Sequence, residues 1–255
     1  MKYGTMKVIF IAGVVLFALG NSAVLPMIGA DLPVKSQYVW RGLVFNDEFV
    51  FWPDAWVSWN GFCLTGWGSV DLTDVKDKQL ALTDLAFFVD YSRSFGPATA
   101  TIGYAHYTYP GSAYGPGFSA TGEVYGKVGA NLKVVQGLVG INYDVKQADG
   151  YYISPKLTKS KPCGIVTPTL AVSLGYADKK HNLYYFGVDK AGLTDVTGSL
   201  TLSVAPPAPL GNVLAISGDV NYARVIDSEL ADAVLESSNF WFGIGLNFFH
   251  SLGGK

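Results

Sequence analysis

The chain has 255 residues, 49% hydrophobic, 15% charged and 14% aromatic, with a formal net charge of −2. Soluble chains average about 25% charged residues, so this one is poor in the charge a soluble surface needs. The near-neutral balance excludes a basic nucleic-acid footprint. Two cysteines, Cys63 and Cys163, supply neither a disulfide framework nor a metal-ligand spacing, and both are read as free thiols.

The first element is a secretory leader. Lys2 and Lys7 form a positive n-region, residues 8–19 (VIFIAGVVLFAL) an apolar core, and small residues offer cleavage after Gly20 or after Ala23. Met6 offers an alternative start. The apolar run is short for a membrane span, so residues 1–23 are assigned as a signal peptide and 31–255 as a single exported domain. Its removal takes Lys2 and Lys7 and moves the net charge from −2 to −4.

The remainder alternates. About twelve strands are predicted, at 34–45, 48–60, 62–73, 80–94, 98–109, 120–132, 134–145, 151–158, 165–177, 193–204, 213–224 and 239–249. The eighth contains Pro155 and is the weakest, because proline removes a ladder donor. Connections near Asn60-Gly61, Gly96-Pro97, Leu132, 159–163 and 205–211 are mostly short. Those at 74–79, 110–119, 146–150, 178–192 and 225–238 are longer, and the one at Asn46-Asp47 is very short. Short periplasmic turns and long outer loops are the habit of outer-membrane barrels.

Residue parity separates two faces. In 62–73 the set Phe62, Leu64, Gly66, Gly68, Val70, Leu72 opposes Cys63, Thr65, Trp67, Ser69, Asp71, Thr73. Because lipid offers backbone groups no hydrogen-bond partner, only helices or closed barrels span it. The fold class is therefore all-β: a transmembrane, antiparallel, up-and-down β-barrel with its apolar face to lipid. A soluble sandwich would want charge on the polar face, which is mostly Thr, Ser, Gly, Asn and Tyr. Aromatics near strand ends, among them Trp52, Trp56, Trp59, Tyr107, Tyr143, Tyr176 and Trp241, suit interfacial girdles.

Parity places Lys35, Arg41, Asp54, Asp71, Asp84, Asp90, Glu123, Lys127, Asp144, Lys156, Asp195 and Asp219 inside, acids outnumbering bases. Arg41, Asp54, Asp71, Asp84, Glu123 and Lys127 are the lumen-lining candidates. If the interior is wet, its field favours cations, since rings of one charge sign set pore selectivity. Alternatively these groups pair with one another and fill a narrow barrel, with Arg41 meeting Asp54, Asp84 or Glu123. The alternation reads the same in both cases. His106 falls on the lipid face, His181 in a loop and His250 past the last strand, so no nucleophile–base arrangement is legible.

The stretch SQYVWRGLVFN (residues 36–46) resembles the opening of the uncharacterised proteobacterial outer-membrane family Gcw-chp. GWGSVDL at 66–72, the segment LTDLAFFVDYSRSFGPATATIGYAHYTYP and the strand GEVYGKV are similar to its later motifs, over roughly 36–143. The resemblance implies an outer-membrane barrel and carries no activity. Its motif residues in this chain are Arg41, Asp71, Asp84 and Glu123.

The expected function is a porin-like passive channel for small cationic or neutral solutes in a Gram-negative outer membrane, reached by signal-directed export. The alternatives are a non-conducting structural or adhesive barrel that binds through its outer loops, or a lipid-modifying enzyme built around His106. No catalytic residues, metal or cofactor are expected. The partners expected are outer-membrane lipid and lipopolysaccharide, the barrel-assembly machinery and a small solute, with no nucleic acid.

Overall fold

The computed structural model describes residues 25–74, 79–110 and 118–253, and the leader expected at 1–23 lies outside them. Strands β1 (Met27–Lys35), β4 (Val50–Phe51), β5 (Asp54–Trp59), β6 (Phe62–Asp71), β7 (Leu82–Phe95) and β8 (Ala98–Thr108) form one half of a closed antiparallel barrel. Strands β9 (Thr121–Asn131), β10 (Gln136–Asp144), β11 (Tyr151–Ser160), β12 (Val166–Ala177), β13 (Gly192–Val204), β14 (Leu214–Val225) and β15 (Ser238–Ser251) form the other. β1 closes the wall against β15, from Met27 opposite Ser251 to Lys35 opposite Gly243. β4 and β5 are one wall strand interrupted at Trp52-Pro53, where proline supplies no ladder N–H, so the wall has 12 strands.

The first strand differs from the sequence expectation. Residues 34–45 do not form it; β1 does, starting at Met27, before residue 31. Asp31, Pro33 and Lys35 disguise β1, whereas the Tyr38–Phe45 stretch has stronger strand chemistry. That stretch is also β, but as a separate two-stranded sheet, β2 (Tyr38–Trp40) with β3 (Leu43–Asn46). Arg41 (φ 50) and Gly42 (φ 82) make its two-residue turn. Positive φ at both turn positions is the hairpin geometry that matches strand twist.

Pro155 does not break β11. The ladder to β10 runs through Val139 opposite Pro155, while the ladder to β12 skips Ser154 and Pro155. On β12 a register shift between Leu174 and Tyr176 accompanies the gap.

The outer surface is apolar: Val57, Leu64, Val128, Ile141, Leu200 and Ile244 all stand exposed. With each such side chain worth about 1.5–3 kcal/mol when removed from water, this belt needs a non-aqueous neighbour. Some expected girdle residues turn inward instead. Trp52 donates to Ser69 and packs on Trp67, Tyr107 reaches toward Glu123, Trp56 crosses Gly29, and Trp241 is buried.

The two ends are unlike. One carries short turns. The other carries the β2–β3 hairpin, α1 (Lys179–Phe186) between β12 and β13, and α2 (Ser228–Asp232) between β14 and β15. Asp178 caps α1, accepting from the His181 amide at 2.9 Å, and Asp227 caps α2, accepting from the Glu229 amide at 3.0 Å. Gly187, in the left-handed region, ends α1.

Candidate functional site

The hairpin folds into the barrel at the long-loop end. Its tip touches the wall three strands away: a Cβ on Gly42 would lie 2.9 Å from Cβ of Asp195 on β13. Arg41, at the same tip, is sandwiched between rings, with its guanidinium 4.0 Å from the Trp40 ring centroid and 4.4 Å from that of Tyr152. Its Nη2 donates to Glu123 Oε2 at 2.9 Å, and both side chains are under a tenth exposed. Glu123 also accepts from Asn142 at 2.9 Å and from the Tyr107 hydroxyl at 3.5 Å.

His181 completes the cluster. Arg41 Nη1 lies 3.1 Å from His181 Nε2, and His181 Nδ1 lies 3.3 Å from Asn182 Oδ1. A guanidinium has only donors, so Nε2 must carry the lone pair and Nδ1 the proton it gives to Asn182. Burial first, then the neighbouring Arg41 cation, push the histidine pKa down to about 3. The ring is neutral, and both of its nitrogens are already engaged. His106 is elsewhere, on the outer face opposite Phe87 on β7 and stacked beside Tyr104.

Around this cluster the wall acids are buried and hydrogen-bonded, as buried carboxylates must be. Asp71 accepts from Asn46 at 2.6 Å. Asp144 accepts from the Thr121 hydroxyl at 2.7 Å and from the Lys146 and Gln147 amides at 2.8 Å. Asp195 accepts from Tyr152 and Thr194, each at 2.9 Å. Asp84 lies in the same buried layer. Tyr38 of the hairpin packs edge to face on Trp52 and Trp67 of the wall and, tilted, on Phe45 of β3.

The lumen-lining candidates therefore divide. Arg41 and Glu123 meet; Asp71 and Asp84 share their packed layer without contacting Arg41. Asp54 and Lys127 lie deeper, where the wall is half-open. Asp54 faces Asp31, whose carboxylate accepts from Asn247. Lys127 is exposed, its ammonium 4.6 Å from the Tyr125 ring centroid. Lys35 pairs with Asp219, which also accepts from Asn221. Near the short turns a cavity of about 380 Å³ opens between Thr99, Asn131, Gln136, Lys156 and Thr158.

Asp31 and His181 were missed from the sequence. Asp31 precedes the predicted strands, and His181 sits in a helix where the sequence predicts a loop; the Asp178 cap is the available signal. Cys63 is half-buried on the inner face of β6 and Cys163 exposed in a short turn, both free thiols. Among the described residues no three His, Cys, Asp or Glu side chains gather as a metal site.

A family model described as bacterial protein of unknown function (Gcw_chp) matches residues 22–206. The chain belongs to the Gcw_chp family. Comparison with curated proteins finds no match. Among solved structures this Gcw_chp chain is similar to the NanC porin, with TM-score 0.54 and 11% identity over 86% of this chain and 98% of that one. It is similar also to the KdgM porin in complex with disordered oligogalacturonate, with TM-score 0.52 and 10% identity over 87% and 98%. At such identities the shared property is the fold, a porin-like barrel of the outer-membrane type.

Proposed function

We propose that the protein is a porin-like channel of the Gram-negative outer membrane, passive, and narrowed at its outer mouth by the β2–β3 hairpin. The observation that carries this reading is the contrast between two lumenal levels. Near the long loops the interior is packed around Arg41, whereas deeper in, Asp31, Asp54 and Asp90 are partly exposed, Asp219 is largely covered in its pair with Lys35, and Lys127 and Lys156 are exposed. Water-accessible charge inside an apolar-skinned barrel is the arrangement of a solute path.

The geometry tempers the expected cation preference. Asp71, Asp84, Glu123, Asp144 and Asp195 lie in the packed layer, and the acids left on the open level stand against Lys35, Lys127 and Lys156. Small neutral and cationic solutes remain the favoured class, with mild selectivity. An oligogalacturonate is a polyanion, and Asp31 and Asp54 oppose carrying that ligand over from the similar porin. The apolar belt would then meet outer-membrane lipid and lipopolysaccharide, and folding into that membrane would call on the barrel-assembly machinery.

A packed outer layer also favours a second reading, a barrel that does not conduct and acts through its loops. One experiment separates the two: single-channel recording of the refolded mature chain in a planar bilayer under a potassium chloride gradient. Discrete steps with a small cation-favouring reversal potential support the channel. Silence from folded protein supports the closed barrel.

A further inference from the structure

The open-level charges lie at one height. From Asp31 the perpendicular row of paired residues runs through Asp54, Trp67, Ala86 and Tyr107 to Thr121, at the long-loop end of β9. Barrel strands tilt about 40°, so five lateral steps of about 4.8 Å climb about 15 Å, or about six residues down a strand. Six residues below Thr121 on β9 is Lys127. The same correction, about four residues over three steps, leads from Ala86 to Asp90. Lys156 pairs through Leu138 with Gly129, two residues beyond Lys127, and two lateral steps make up that difference. In the other direction Lys35, Gly243 and Asp219 share a row; Lys35 stands four residues above Asp31 and two lateral steps recover more than half of that, which brings Asp219 to within about two residues of the same level.

This belt is sorted by sign. Asp219, Asp31, Asp54 and Asp90 occupy β14, β1, β5 and β7, one arc of the wall. Lys127 and Lys156 occupy β9 and β11, flanking β10, which lies diametrically across from β1 in the ring of 12 strands. Between the lysines β10 contributes only Gly140 and Leu138 on the inner face, so nothing charged separates them. Lys35 neutralises Asp219, and Asp90 accepts from the Tyr125 hydroxyl of β9 at 2.9 Å, beside Lys127; Asp31 and Asp54 are left as the acidic pole facing the lysines. Low-dielectric walls focus such a field across the water between them.

We propose that this belt selects small zwitterions, orienting the solute ammonium toward Asp31 and Asp54 and its carboxylate toward Lys127 and Lys156. The inference rests on the channel reading. A net cation or anion is attracted by one wall and repelled by the other; a zwitterion satisfies both at once.

The test is swelling of proteoliposomes holding the whole mature chain, in glycine against its uncharged isomer glycolamide. Glycine is expected to enter about twofold faster or more, as charged rings govern passage. K127Q/K156Q is expected to erase that advantage, so that the two isomers enter at equal rates; both lysines are exposed, and folding of the variant is checked by its heat-modifiable gel mobility. D31N/D54N is expected to do the same from the other wall. Equal entry of the two isomers into wild-type vesicles, or an advantage that survives K127Q/K156Q, overturns the inference and leaves the channel standing. Entry of neither isomer through folded protein overturns the channel reading and this inference with it.

Discussion

Arg41 and Glu123 stand 82 positions apart in sequence, yet their side chains meet at 2.9 Å in a layer almost closed to water. The contact pins the tip of an inward-folded hairpin to β9 and fixes the packing of the barrel at its long-loop end.

Removing one partner of a buried ion pair strands the other charge, at a cost of about 3–5 kcal/mol. Arg41→Met and Glu123→Gln should each lower stability by that order in urea unfolding from lipid. The double variant Arg41→Met with Glu123→Gln should lose clearly less than the sum. Additive losses would show that the pair is not coupled.

Gly42 sits at φ 82 with the Asp195 side chain against it, whereas Gly198 on β13 has nothing within 4 Å of where a Cβ would stand. Gly42→Ala should cost about 1–3 kcal/mol through backbone strain and the displaced hairpin. Gly198→Ala should be close to neutral. Equal effects in the same unfolding assay would contradict the hairpin's placement.

His181 provides a pH signature. Its pKa falls from 6.5 in the unfolded chain to about 3 in the fold, so between those values the unfolded state binds the extra proton. Stability from this group is complete above pH 6.5 and declines as the pH falls toward 3, by at most about 1.4 kcal/mol per pH unit. Unfolding midpoints measured across that window should show the decline in wild type and a shallower one in His181→Asn. Matching profiles would place the imidazole in water.

The wall was legible because a half-buried strand writes its geometry into every second residue. Residues 62–73 and 193–204 foretold β6 and β13 almost to the residue. What parity cannot carry is long-range placement. The Tyr38–Phe45 stretch is as strand-like inside the barrel as in its wall, and only the Arg41-Gly42 turn distinguishes the two. Strand stagger is equally silent: nothing local reveals that Asp31 and Lys127 share a height, because that follows from tilt summed around the wall. His181 was hidden by a short helix without an amphipathic stripe.

Orientation is testable through the thiols. Cys163 lies exposed in the short turn between β11 and β12. If the short turns face the periplasm, as outer-membrane barrels arrange them, a membrane-impermeant maleimide should label Cys163 in a Cys63→Ser background only after the outer membrane is permeabilised. Labelling of intact cells would invert the barrel.

The proposed narrowing of a solute path by an inward hairpin has a direct consequence for conductance. It is tested most directly by comparing single-channel conductance of the wild-type chain with that of a variant whose residues 37–45 are replaced by a short Gly-Ser linker. The wall strands pair without those residues, so the variant should still fold. Small discrete steps are expected from wild type and markedly larger ones from the variant. Equal conductance, or silence from both, would contradict it.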